Sequence, residues 1–156
     1  MQIVYICTKN IILRNMKKNI IIMGLLFMTL KGFAQADSTT FKGHLYNNEY
    51  EVYIDMNFYK NDILVPHQEI FGKIAGFFGD IHDGRKWLFT SAKIVNKKNA
   101  QIEIINDYGS EDLEATLTCN PDGTYTLTQG KGSTIKIVRN RKWVKIPKIL
   151  VFKKTR

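Results

Sequence analysis

Phe41-Lys42-Gly43-His44-Leu45-Tyr46-Asn47-Asn48-Glu49-Tyr50-Glu51-Val52-Tyr53-Ile54-Asp55-Met56-Asn57-Phe58-Tyr59 is the stretch that decides the fold class. From Glu49 onward Tyr50, Val52, Ile54, Met56 and Phe58 fall on one side, and Glu51, Tyr53, Asp55, Asn57 and Tyr59 on the other. A period of two is that of a β-strand, whose successive side chains point to opposite faces. Phe41 to Tyr46 alternates as well, with His44 sharing the polar side with Lys42 and Tyr46. Asn47-Asn48 tolerates the positive φ angles of a two-residue turn, so the spacing predicts a hairpin.

The same pattern recurs downstream. Asp112 to Cys119 places Leu113, Ala115, Leu117 and Cys119 on its apolar side, and Asn120-Pro121-Asp122-Gly123 turns the chain into Thr124 to Gln129. Further strands are expected at Ile70 to Phe78, Arg85 to Val95, Ala100 to Asn106, Ser133 to Arg139 and Lys142 to Phe152, with turn formers between them. No stretch after Leu30 carries helical apolar spacing. The expectation is an all-β chain: one small antiparallel barrel or sandwich of about eight strands, calycin-like at the level of architecture only. A barrel is attractive because closure removes exposed edges. Glycines 72, 76 and 79 among large apolar residues suit bending of such a sheet; exposure of Phe77 or Phe78 at a bend would mark a binding patch.

Ahead of this domain, Met16-Lys17-Lys18, the uncharged run Ile20 to Leu30 and Ala34-Gln35-Ala36 have the three parts of a cleaved secretory signal peptide. The run is 11 residues long, against the roughly 20 that a membrane-crossing helix needs, so no stable transmembrane span is expected after processing. The reading is therefore residues 1–15 as an extension before the true start, 16–36 as signal, and 37–156 as a single exported domain, periplasmic or secreted. Of the two cysteines only Cys119 falls in that domain, which excludes an intramolecular disulfide there. Its place on an apolar face argues for packing over reactivity.

Charge is split along the mature segment. Residues 37–130 hold 8 Lys/Arg against 14 Asp/Glu, whereas residues 131–156 hold 10 Lys/Arg and no acid. This predicts either an internal match between a basic C-terminal hairpin and acidic loops, or an external anionic partner. Nucleic acid is not expected for an exported chain.

The chemistry is defined mainly by what is missing. There is no Gly-x-Ser-x-Gly, no phosphate-cradling glycine loop, no histidine pair at metal spacing, no Cys-x-x-Cys and no cofactor motif. His44, His67 and His82 are scattered. Glu51 and Asp55, read as neighbours on one strand face, have backbones about 14 Å apart, too far for a glycosidase pair. The acidic turn around Gly109 offers Asp107, Glu111 and Asp112 as calcium ligands, though a plain acidic turn explains it better.

Two surfaces remain. One is the aromatic and polar side of the first hairpin, with His44, Tyr46, Tyr53, Asp55, Asn57 and Tyr59, a mixture suited to recognition. The other is the basic C-terminal segment with Lys136, Arg139, Arg141, Lys142 and Trp143, whose Arg-Lys-Trp echoes Arg85-Lys86-Trp87. The leading expectation is a noncatalytic binding module for a protein, glycan or small apolar ligand. An inhibitor or assembly factor docking an acidic protein through the basic strands comes second, and a hydrolase of unrecognised type third.

Overall fold

The protein is described here from a computed structural model, which covers residues 39–155. The extension at 1–15 and the signal peptide at 16–36 lie outside the described residues. Eight strands close an antiparallel barrel: β1 (Lys42–Asn47), β2 (Val52–Asn57), β5 (Gly76–Asp80), β6 (Asp83–Ile94), β7 (Asn99–Asn106), β8 (Asp112–Cys119), β9 (Thr124–Gly132) and β12 (Ile149–Lys154). Two small hairpins, β3 (Ile63–Leu64) with β4 (Lys73–Ile74) and β10 (Lys136–Arg139) with β11 (Lys142–Lys145), stand outside the wall. Of the two architectures expected, the barrel is the one adopted. Its seam is the β1–β12 ladder, where Leu45 faces Lys154 and Tyr46 faces Lys153.

The alternation works as the pleat requires. Leu45, Val52, Ile54, Met56, Phe78, Phe89, Ile102, Ile104, Leu117, Leu127 and Phe152 point inward and are buried. Rings from strands that are not neighbours meet in the middle, Phe78 of β5 against Phe152 of β12 edge-on at 6.4 Å between centroids. Side chains therefore fill the interior, as in small barrels generally.

Several boundaries differ from the expectation, each for a local reason. The first turn spans 48–51 instead of two residues: Asn47 pairs with Val52, and the Asn47 side-chain oxygen accepts the Tyr50 amide at 2.8 Å while Glu51 takes φ 53°. The strand expected at Ile70 to Phe78 is broken into a 3-10 turn (Glu69–Phe71), β4 and β5, with Gly72 at φ 66° ending the turn. The strand expected at Lys142 to Phe152 is likewise divided, because Pro147 cannot donate to a ladder and β11 and β12 lie on either side of it.

Segment 58–75 leaves the barrel and returns along its outer wall as a strap. Beneath it Val65 packs on Phe77 and Leu88 in a second apolar cluster, so neither Phe77 nor Phe78 is an exposed patch. The glycines next to it serve close approach more than bending. A Cβ on Gly79 would sit 2.5 Å from Cζ of Tyr53, whose ring lies across it, and one on Gly76 would sit 2.3 Å from the Asp55 carbonyl oxygen. Cys119 packs on the core yet remains half-buried, so the expected packing role holds without full burial.

Candidate functional site at the capped end of the barrel

Four connections meet at one end of the barrel: the turns β1–β2, β5–β6 and β7–β8, and the excursion from β9 to β12 that carries the β10–β11 hairpin. Asn140 and Arg141, at φ 51° and 61°, form the two-residue turn of that hairpin, the mirror-image type whose twist matches flanking strands. The hairpin folds back as a cap. Ile135, Ile137 and Ile146 plug into the core, and buried Gln129 holds both ends of the excursion, accepting the Ile135 amide at 2.7 Å and donating to the Pro147 carbonyl at 2.8 Å. The Trp87 indole, 6% exposed, donates to the Lys136 carbonyl at 3.1 Å.

Charge completes the latch. Arg139 reaches buried Asp80 at 2.5 Å and donates also to the Tyr50 carbonyl at 2.5 Å, while Lys136 pairs with Glu111 at 2.5 Å. The internal match between basic hairpin and acidic loops is thus real for these two cations, and neither is free to meet an outside partner. Beside them Arg85 is held by both oxygens of Asp83 and lies over the Trp143 ring at 4.4 Å. The Arg85 hydrogen bond keeps the Asp83 carboxyl down at about 2 despite partial burial, which acts the other way. Asp80, Asp83, Arg85, Glu111, Lys136 and Trp143 line a narrow cleft together with Asp107, Tyr108 and Val138.

The residues picked out in the sequence separate into two places. Trp87, Lys136, Arg139, Arg141, Lys142 and Trp143 come together at the cap, and so do Asp107, Glu111 and Asp112 of the acidic turn. The last three do not face one centre: Asp107 accepts from Gln68 Nε2 and the Lys86 amide, Glu111 is taken by Lys136, and Asp112 opens β8. Asn106 organises this turn instead, its side-chain oxygen accepting the amides of Ser110 and Glu111. Among the described residues no three metal-ligating side chains gather.

The aromatic set lies on the wall. His44 Nδ1 meets Asp55 at 2.7 Å, and the His44 ring stacks on Tyr53 at 5.3 Å. Tyr53 is half-buried against the strap, and burial raises its hydroxyl pKa, with Asp55 and Asp80 adding to the effect. Asn57 is buried and bonded to Asp62 at 2.6 Å, Tyr59 packs on the core, and Tyr46 stays half-exposed. Much of this face is therefore internal packing. His82 pairs with Glu51 at 2.7 Å.

Two features of this end escaped the sequence reading. Buried Asp80 and Gln129 look like ordinary strand-end polar residues until the cap is in place. Lys86, 6% exposed, makes one hydrogen bond through its ammonium, 3.3 Å to the Asp83 carbonyl, and its Nζ sits 5.6 Å from the Tyr53 ring; burial lowers its pKa, with nearby carboxylates opposing. Its neighbours Arg85 and Trp87 gave a signal, the Arg-Lys-Trp echo, but not the outward burial of the lysine between them. Comparison with protein families, curated proteins and solved structures finds no match to this chain.

Proposed function

We propose that the protein is an exported, noncatalytic binding module that meets its partner with the outside of the capped barrel end. One observation carries this reading. Ile70, Phe71, Ile81, Tyr108, Trp143 and Val144, all large and exposed, stand on the cap, on the turns beside it, or on the strap where Gln68 ties it to Asp107. The opposite end offers Val95 in the β6–β7 turn, and Leu64 on the strap and Ile149 and Val151 on β12 are exposed along the wall. Exposed apolar side chains gathered at one pole mark a surface that another molecule covers. The filled interior speaks for an external partner over an apolar ligand inside the barrel.

The test is an anisotropy titration of dye-labelled protein with separated envelope glycans, proteins and lipids. Saturable binding to one class, weakened at least tenfold by Trp143→Ala with Ile81→Ser, is expected. Saturable binding that ignores both substitutions would overturn the proposal.

A further inference from the structure

We infer that the capped end docks on an anionic lipid surface, with the exposed apolar tips entering the interfacial layer and the unpaired cations of the cap meeting headgroup phosphates. The inference deepens the binding reading above and rests on it. It starts from what the ion pairs leave over. At this end the carboxylates of Glu51, Asp80, Asp83 and Glu111 are each engaged by His82, Arg139, Arg85 and Lys136. Lys131, Arg141, Lys142, Lys145 and Lys148 are exposed and take part in no ion pair among the described residues. Glu49, Glu69, Asp107 and Asp112 are the carboxylates at this end without one, but residues 131–148 contain no Asp or Glu, so the unpaired charge on the cap excursion itself is positive.

Shape and side-chain type favour lipid over an acidic protein. All four residues of β11, Lys142-Trp143-Val144-Lys145, are exposed, so both faces of this strand reach solvent and it stands as a ridge at the rim of the cleft that Trp143 helps to line. A protein partner would need a matching trench, whereas headgroups rearrange around a ridge. Trp143 is 57% exposed, set between Lys142 and Val144 in the chain and stacked by Arg85, and Tyr108 is more open still. Indole and phenol rings flanked by Lys and Arg are the side chains that settle at the water–lipid boundary. The apolar tips supply shallow insertion, and no described helix is long and apolar enough to cross a membrane. The attachment is peripheral and reversible.

The experiment is co-sedimentation of the protein, recovered in its exported form, with vesicles of equal parts phosphatidylglycerol and phosphatidylcholine, against pure phosphatidylcholine. Binding to the anionic vesicles alone, weakening as salt rises, is expected. Each cap lysine near the surface contributes about a fivefold factor, so Lys142→Ser with Lys145→Ser lowers the partition coefficient by roughly 25-fold. Trp143→Ser lowers it again and removes a blue shift in emission on vesicle addition. Lys97→Ser with Lys98→Ser, at the opposite end, makes the same change in net charge and leaves binding within about twofold if docking is oriented. Equal losses from the two pairs would overturn the inference. So would absence of vesicle binding at low salt, and if polyglutamate were then bound through Lys142 and Lys145, the partner would be an acidic protein and the binding reading would stand without the lipid.

Discussion

Replacing Arg139 by methionine removes the clamp between the cap hairpin and the barrel. The guanidinium serves three acceptors, the Asp80 carboxylate and the carbonyls of Tyr50 and Val138. The Asp80 side chain is 4% exposed and that of Arg139 28%, so the substitution strands a carboxylate that water reaches poorly. Removing one partner of a buried pair costs about 3–5 kcal/mol. Because Arg139 is itself partly exposed, some solvent screens Asp80, and about 2–4 kcal/mol is the expected loss. For a domain of this size that lowers the melting temperature by roughly 8–15 °C. Urea unfolding followed by circular dichroism measures the loss, and adding Asp80→Asn to Arg139→Met isolates its cause. The amide carries no charge to strand, so the double variant recovers at least half of the deficit. A loss below about 1 kcal/mol, matching that of the exposed control Lys142→Met, would refute the latch, since surface substitutions stay within about 0.5 kcal/mol.

Other perturbations probe the wall and the cleft. Gly79→Ala forces the Tyr53 ring away from a Cβ 2.5 Å from it and lowers stability by about 1–3 kcal/mol in urea titrations, whereas Gly84→Ala, with nothing within 4 Å, is neutral or slightly stabilising. Asp83 has its folded pKa depressed to about 2, so its pairing with Arg85 adds stability above about pH 4 that is lost as pH falls from 4 to 2. With both partners in contact with solvent that contribution is about 1 kcal/mol or less, and Arg85→Gln flattens this part of the acid-unfolding curve without changing stability between pH 7 and 9 by more than that amount. Lys86→Met removes a buried cation held by one long hydrogen bond; its unfolding free energy stays level or rises by up to about 1 kcal/mol in urea titrations, and a loss above 2 kcal/mol would mean that the ammonium is fully paired.

The amphipathic strands were readable because a half-buried pleat writes its burial into every second residue. Val52-Tyr53-Ile54-Asp55-Met56 and Leu113 to Cys119 show it plainly, and both strands lie where alternation puts them. The strap was not readable: Ile63 to Phe78 is a mixed apolar run, and only the outer-wall cluster of Val65, Phe77 and Leu88 explains why it leaves the barrel. The cap was half legible. A charge split of ten bases and no acid after residue 130 announced that the C-terminal segment needs anions, and two of those cations find theirs within the fold. Which two depends on long-range geometry, Arg139 to Asp80 across 59 residues, that no local pattern encodes. The same holds for the exposed crown. Ile70, Ile81, Tyr108 and Trp143 are far apart in the chain, and strand order alone brings their turns to one pole.

Recognition from outside requires a barrel that is closed and filled, which leaves only the exterior for a partner. Nuclear Overhauser contacts between the rings of Phe78 and Phe152, with those linking Tyr46 to Lys153 across the seam, measure this directly in solution. Both sets of cross-peaks are expected in the free protein and unchanged when a partner binds. Seam contacts without the ring contacts, or ring contacts that vanish when an apolar ligand is added, would mean a cavity in place of the packed core.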